Sequence, residues 1–494
     1  MVKGYQEIIK KYFESHSFVE SNIQSFNMFI EKGMQKIVNE VSEIIPTIIP
    51  QEVENFKIKL GKVWVEKPQV TEADGSKRKI YPMEARLRKL TYAASVFLEV
   101  SAHIDSVQKE SFVAEIGKIP IMVKSKYCHL YGCKKDELIE HGEDPYDFGG
   151  YFILNGNERV LIIVEDLVSN KLFIDKKSVG PSKYVGKIFS ERGSYRIAHN
   201  IEQMKDGIFY ISFTKFRRVP LFAVIKALGI TKDQDITSII SEKEYDEIFI
   251  NLYNIMEIQS EEDALDFLGK KIGFTYPQEQ KIEKTGEQLD RYLLPHLGIT
   301  QKERLIKAYN LCKMVKRFLL VAKDNLSQYD KDHYMNKRLK LSGDLLGDLF
   351  RVNLRALVQD MIYNFQRLVK RGKFHSIKII IREKLLTSRI QSAMATGVWV
   401  GGRKGISQNI ARTNVLDTLS HLQRVASLLT STQENFEARA LHGTHWGRLD
   451  PIETPEGTPI GLRKNLALLC NIVQSEQQEE KVKRVLEANG LKAL

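Results

Sequence analysis

Long apolar runs are missing from this sequence of 494 residues. None approaches the roughly 18 apolar residues of a membrane-spanning helix. The N-terminus, MVKGYQEIIKKYF, carries charge where a secretory signal has an apolar core. Cysteine is scarce: Cys128, Cys133, Cys312 and Cys470 form no CxxC pair. YCHLYGC (127–133) places His129 between two thiols, but no second ligand pair lies nearby. Reduced structural cysteines are the better reading. These absences predict a cytoplasmic protein with no membrane partner.

Catalytic signatures are scarce as well. GxxxxGK[ST] and GxGxxG are absent, and with them the phosphate-cradling loops of nucleotidases and dehydrogenases. GGRKG (401–405) sets glycines beside two cations and, alone, reads as a flexible basic turn. GxSxG and HExxH do not occur, nor do spaced Asp triplets able to hold paired Mg²⁺ ions. His442 and His445 form HxxH, but no third ligand follows at a zincin spacing, and Pro451 and Pro455 break any helix after the pair. The three acids of DPIETPEG (450–457) are held extended by prolines, which suits shaping better than metal binding. No self-sufficient active site and no bound metal are expected. Repeats and low-complexity tracts are also lacking.

What is present is an ordinary globular composition with a basic excess. Hydrophobic residues make up 43% and charged residues 28%, so real cores are available. At roughly 100–200 residues per domain, the length gives about two to four domains. The net charge is +12, and residues 367–464 hold 16 Lys and Arg against 7 Asp and Glu, a net of +9. Such clustering beside glycine loops suggests a polyanionic partner, with a solvated basic surface as the plainer reading.

Periodicity predicts helix over 1–50, ended by IIPTIIP (44–50), because proline removes a donor and disfavours helix before it. Residues 56–70 alternate like a strand, and ADGS (73–76) marks a turn. Residues 82–100 mix helix and strand signals, and 116–130 read as strand. Residues 149–166 read as two strands around Asn155-Gly156-Asn157, a hairpin signal. Strands are also expected at 183–189 and 207–213. Helices dominate 219–323, with Leu305, Tyr309, Cys312 and Leu319 on one face, and return over 343–371. Residues 378–385 read as a strand or a helix start. A loop-rich basic stretch covers 399–409, and 479–490 is a last helix with Asn489-Gly490 as its C-cap. Strands followed by a run of helices indicate an α+β multidomain fold.

At LHGTHWGRLDPIETPEGTPIGLRKNLAL (441–468) the residues match a known family. This stretch resembles the fork segment of the second-largest subunit of multisubunit RNA polymerases. GISQNIARTNVLDTLSHLQRV (405–425) resembles the stretch before it. YDKDHYMNKRLKLSGDLLGDLFR (329–351) resembles the return into the family's protrusion domain. PMEARLRKLTYAA (82–94), IPIMVKSKYCHLYG (119–132) and PYDFGGYFILNGNERVLI (145–162) resemble the protrusion's first part, and SFNMFI (25–30) its N-terminal helix. The blocks follow the family's order and are of archaeal and eukaryotic type. The sequence stops soon after the fork, so it resembles the N-terminal product of the split subunit found in some archaea. A truncated longer subunit would look similar.

The resemblance implies a mixed helix/strand protrusion (1–165 and 325–398), interrupted by an inserted α+β lobe (166–324). A fork (399–475) and a C-terminal helix (476–494) follow. It implies template-directed RNA synthesis by the assembled polymerase, with the catalytic Mg²⁺ held by the largest subunit and no autonomous catalysis here. Implied partners are the C-terminal half of the subunit, the largest and the small assembly subunits, DNA template, RNA–DNA hybrid and basal transcription factors. The two fork loops would be 399–405 and 430–438. Arg403 and Lys404 suit backbone contact. Arg424 and Arg439 are read equally well as phosphate ligands or as structural salt bridges. Glu456 is expected to support the nucleoside-triphosphate site by holding an arginine of the missing half. Glu453, Pro455, Gly457, His442, His445 and Trp446 are expected to shape the fork. One departure stands out: HLQR (421–424) replaces the family's HLRR, which puts any phosphate contact at Gln423 in doubt.

Two other readings compete. A free-standing nucleic-acid-binding protein of related fold would be a monomer with its own DNA affinity. A metal-dependent hydrolase built on His442 and His445 would carry stoichiometric zinc.

Overall fold

The computed structural model describes residues 2–15, 17–49, 53, 55–105, 107–177, 179–193, 195–241, 246–323, 326–372, 376–429, 435–472 and 479–491. The chain forms two compact units, Met1–Asp166 with Leu339–Leu494, and Leu167–Arg338.

The first unit is built around the helix Ser342–Lys370. Its buried residues Leu346, Phe350, Leu354, Leu357, Met361 and Phe365 recur at three- and four-residue steps. Against it lies Glu20–Asn39, two α-helical stretches joined by a π turn at Phe29–Gly33. Gly343 sits where the two meet: a Cβ there would come within 2.1 Å of the Ser25 carbonyl oxygen. That close approach lets Gly343 N–H donate to Ser25 Oγ (3.1 Å) and Ser342 Oγ to the Asn22 carbonyl (3.0 Å). The helix expected over 1–50 thus ends at Asn39, and the strand Glu43–Ile44 follows.

That strand opens an antiparallel sheet continued by Phe56–Val65, Ala93–Ile104 and Val107–Pro120. The mixed signal over 82–100 resolves into the helix Pro82–Leu87 and then this third strand. Glu383–Thr396 packs on Val107–Pro120, where Lys118 N–H donates to Thr387 Oγ1 (2.8 Å). Phe152–Leu154 and Asn157–Leu161 pair around Asn155-Gly156, both in left-handed conformation (φ +50° and +80°), as the Asn-Gly signal predicts.

The second unit is a five-stranded antiparallel sheet followed by helices, an α+β arrangement. The strands run in chain order: Phe173–Lys176, Ser182–Arg192, Tyr195–Met204, Phe209–Phe213 and Phe216–Pro220. Helix Arg304–Ala322 buries Ala308, Leu311, Cys312, Val315, Phe318 and Leu319. Leu305 (51% exposed) and Tyr309 (42%) lie off that face, so the buried stripe runs a fraction of a turn from the expected one. The resemblance implies a lobe of 166–324. Here the unit continues to Arg338, because Val168 N–H donates to the Asn336 carbonyl (2.9 Å) and Lys171 Nζ to Asn336 Oδ1 (2.7 Å).

Candidate functional site

The segment after helix Glu383–Thr396 is held to the first unit by three short strands and buried polar contacts. Ser407–Asn409 pairs with Asn157–Leu161. Arg424–Ser427 lies between two neighbours, parallel to Ile163–Leu167 and antiparallel to Arg463–Asn465. Lys464 Nζ crosses the middle strand to Glu165, 3.2 and 3.1 Å from its two oxygens. Both residues are buried, so the pair sits where an uncompensated charge is costly.

Around this frame, Arg412 donates to Glu158 (2.8 Å) and Asp147 (3.3 Å). Arg86 donates to Glu158, Glu143 and the Tyr151 hydroxyl. Mutual pairing holds the Glu158 carboxyl below its usual range against its burial. His421, on helix Val415–Leu422, is buried. Its Nδ1 accepts from Ala411 N–H (3.0 Å), which leaves Nε2–H to donate to Gln408 Oε1 (3.1 Å). Burial, then the nearby Arg424 and Arg463, push its pKa down to about 4, so it is a neutral brace.

The expected site residues separate into distinct classes. Arg403 Nη2 reaches Asp166 Oδ2 at 3.1 Å, so it is partly tied to the frame. Lys404 is exposed between Gly401, Gly402 and Gly405, all at positive φ, in a loop closed by Trp399 N–H donating to the Arg403 carbonyl. Trp399 itself is buried and donates Nε1–H to the Leu345 carbonyl (2.8 Å). The Arg424 side chain is half-buried, with no hydrogen bond or ion pair among the described residues. Burial and Arg463 lower its pKa, while Asp417 and Glu453 oppose them. Arg439 braces the backbone: its Nη1 donates to the Thr458 and Ile460 carbonyls at 2.6 and 3.0 Å. Gly461, at φ +71°, lies against it, and a Cβ there would come within 2.3 Å of the Arg439 carbonyl oxygen. Of the second expected loop, 430–434 lie outside the described residues.

The acidic turn is internally braced. Asp450 Oδ1 accepts from the N–H groups of Ile452 (2.8 Å) and Glu453 (3.0 Å). Glu453 accepts from Ser420 Oγ, which in turn accepts from Asn465 Nδ2 (2.8 Å). Thr454 Oγ1 donates to the Arg463 carbonyl and accepts from Gly461 N–H, both at 2.9 Å. Pro455 is half-buried, Gly457 turns at φ +79°, and Glu456 stands exposed. His442 caps the turn Gly443–His445, its Nδ1 accepting from Thr444 N–H (3.2 Å). His445 is buried beside it, and Trp446 is exposed. Among the described residues, no three His, Cys, Asp or Glu side chains are placed to hold a metal. The donors fit turn-building, with Asp450 and Glu453 already engaged.

Sequence reasoning missed His421, the Lys464–Glu165 pair and the Arg86–Arg412 network. The two charge networks join segments far apart in the chain, His421 reaches back 10 and 13 residues, and no local pattern marks these contacts. Gln423 is buried and donates Nε2–H to the Phe18 carbonyl (3.2 Å), so this position faces inward in this chain.

The geometry can be set beside known proteins. Residues 17–388 match the family model described as RNA polymerase beta subunit. Residues 408–472 match the model for RNA polymerase Rpb2, domain 3. The chain is 42% identical over 496 residues to DNA-directed RNA polymerase subunit Rpo2N of Methanocaldococcus jannaschii, covering 98% of this chain and 99% of that one. It is 39% identical over 502 residues to Rpo2N of Halobacterium salinarum, covering 99% and 96%. Subunit Rpo2 of Saccharolobus solfataricus is 42% identical over 469 residues, which are 94% of this chain but 41% of that longer one. Spanning the length of the Rpo2N chains and the corresponding part of Rpo2, the chain belongs to the RNA polymerase beta subunit family, as the N-terminal half of the split archaeal second-largest subunit.

Proposed function

We propose that this chain serves a DNA-dependent RNA polymerase as a steering part of its cleft and does no nucleotidyl transfer alone. The protrusion is 1–165 with 325–398, the lobe 166–324, and the fork 399–475. Its partners are the C-terminal half of the subunit, the largest and small assembly subunits, the DNA template with its RNA–DNA hybrid, and basal transcription factors. Its setting is the cytoplasm.

The observation that carries this reading is Arg424. A half-buried guanidinium with no paired carboxylate among the described residues, beside Arg463, is placed to gain from an incoming phosphate. Its strand is pinned on one side by the Arg463–Asn465 ladder and on the other by Ile163–Leu167. The cation is therefore pre-positioned and loses little freedom on binding. Lys404 adds an exposed cation on a glycine loop. Such contacts are independent of base sequence and weaken with salt.

Glu456, exposed on a braced turn, is suited to hold an arginine supplied by the C-terminal half against a triphosphate. Asp450 and Glu453 of this turn are engaged in hydrogen bonds, which is in keeping with a catalytic Mg²⁺ held by the largest subunit. No step of the chemistry is assigned to this chain.

The test is reconstitution with the other subunits, then measurement of elongation-complex stability against salt. Arg424→Ala should weaken binding across all templates and flatten the log–log salt slope by about 0.9, the value for one phosphate contact on duplex DNA. An unchanged slope rejects the phosphate contact. Templated synthesis by the isolated chain rejects the steering role. Native chromatography showing only a free monomer favours the free-standing nucleic-acid-binding alternative.

A further inference from the structure

The fork has a second face, which the nucleic-acid reading leaves unused. On helix Val415–Leu422 and the residue after it, His421 points into the buried brace. Leu416, Leu419 and Ser420 line a different side, with the buried Gln423 at its base one turn on. With Leu466 and Leu468 from the far wall, they form an open groove of about 500 Å³. Leu416 is 76% exposed and Leu468 57%.

The polar lining is of one sign. Asp417, Asp450 and Glu453 contribute carboxylates, and no lysine or arginine lines the groove among the described residues. A phosphate backbone would be repelled here, a few residues from where Arg424 would attract it. A second copy is disfavoured as well. A two-fold interface brings a patch onto itself, so carboxylates would meet carboxylates. An occupant must instead offer apolar side chains and positive charge.

We propose that this groove docks an amphipathic segment, apolar residues flanked by Lys or Arg, of the polypeptide that carries the remaining length of the subunit. This rests on the reading that the chain assembles with that polypeptide. The relatives point to this source over any other basic protein. In Saccharolobus solfataricus Rpo2 the matching residues are 41% of one continuous chain. The rest of that chain is tethered to the same fold, so its local concentration at such a groove exceeds that of any free partner.

The experiment titrates the intact chain with its cognate remaining polypeptide, produced separately, at low and high salt. Leu416→Asp and Leu468→Asp are compared with Ile379→Asp, an exposed position outside the groove (64%). All three sites face solvent, and unfolding curves establish that the variants fold. Each groove substitution should weaken affinity roughly ten-fold or more, because a buried leucine is lost and an acid is added to an acidic site. The control should stay within about two-fold, and salt should weaken the parent complex. If the parent binds and the groove variants bind equally well, the groove assignment is overturned while the assembly reading stands. If the parent does not bind, the assembly reading falls and takes the groove with it. If the chain self-associates and the groove variants abolish this, the occupant is a second copy and the proposal is wrong.

Discussion

The ion pair between Lys464 and Glu165 makes a prediction that separates stabilising from merely permitted contacts. Both groups are buried, and the ammonium sits 3.1–3.2 Å from the two carboxylate oxygens. The pair spans three strands, across the middle strand that carries Arg424. Removing one partner takes an opposite charge away from a buried ionised group, which costs about 3–5 kcal/mol. Replacing both with apolar residues of similar volume removes the attraction and the desolvation penalty together, so the cost falls to about zero. Lys464→Met and Glu165→Leu should therefore each lose about 3 kcal/mol or more in urea unfolding of the intact chain. The double variant should recover most of that loss, a coupling of at least about 2 kcal/mol in a double-mutant cycle. Single variants costing under about 1 kcal/mol, or an additive double, would show that water reaches the pair and that the three-strand pin is not rigid.

Two further predictions concern other parts of the molecule. His199 is buried and held neutral, its pKa lowered to about 4 by burial, with Nε2 accepting from Leu294 N–H. Its stabilisation is present above the unfolded value near 6.5 and fades as pH falls towards 4. His199 should contribute about 2 kcal/mol of the loss of stability between pH 7 and pH 5, and His199→Gln should remove that share while the share of His421 stays; equal pH slopes in denaturant melts would refute this. Glu456→Ala should change elongation rate or fidelity in the assembled polymerase while leaving assembly intact, since this exposed side chain contributes nothing to the braced turn; loss of assembly in a co-purification assay would make the residue structural.

Much of the fold was legible where periodicity is long or turn chemistry is sharp. The helix expected over 343–371 is found at Ser342–Lys370, since its apolar stripe runs for many turns. The Asn155-Gly156 hairpin was legible because few residues accept two consecutive left-handed conformations. Strand Tyr195–Met204 gives no clear signal, having weak alternation even though Gly193 marks a turn before it; its pairing with Ser182–Arg192 overrides local preference. The stripe on Arg304–Ala322 is misread from sequence because Leu305 and Tyr309 are apolar yet exposed. Apolar identity does not by itself say which way a residue faces.

The site was legible as chemistry only in part, and the reason is general to braced loops. Arg424 and Arg439 look alike in sequence, two arginines bracketing a polar loop. One has no described ion-pair partner, and the other donates to two backbone carbonyls nineteen and twenty-one residues on. The difference lies in where Gly461 lets the chain pass, within van der Waals contact of the Arg439 backbone, which no window of local sequence reports. The carboxylates of DPIETPEG show the same divide. Asp450 and Glu453 close hydrogen bonds to backbone N–H groups and Ser420, whereas Glu456 is left outward by the turn they build. A residue becomes available for function here when its neighbours satisfy the backbone without it. The functional candidates in this segment are therefore better ranked by what the fold leaves unengaged than by residue type.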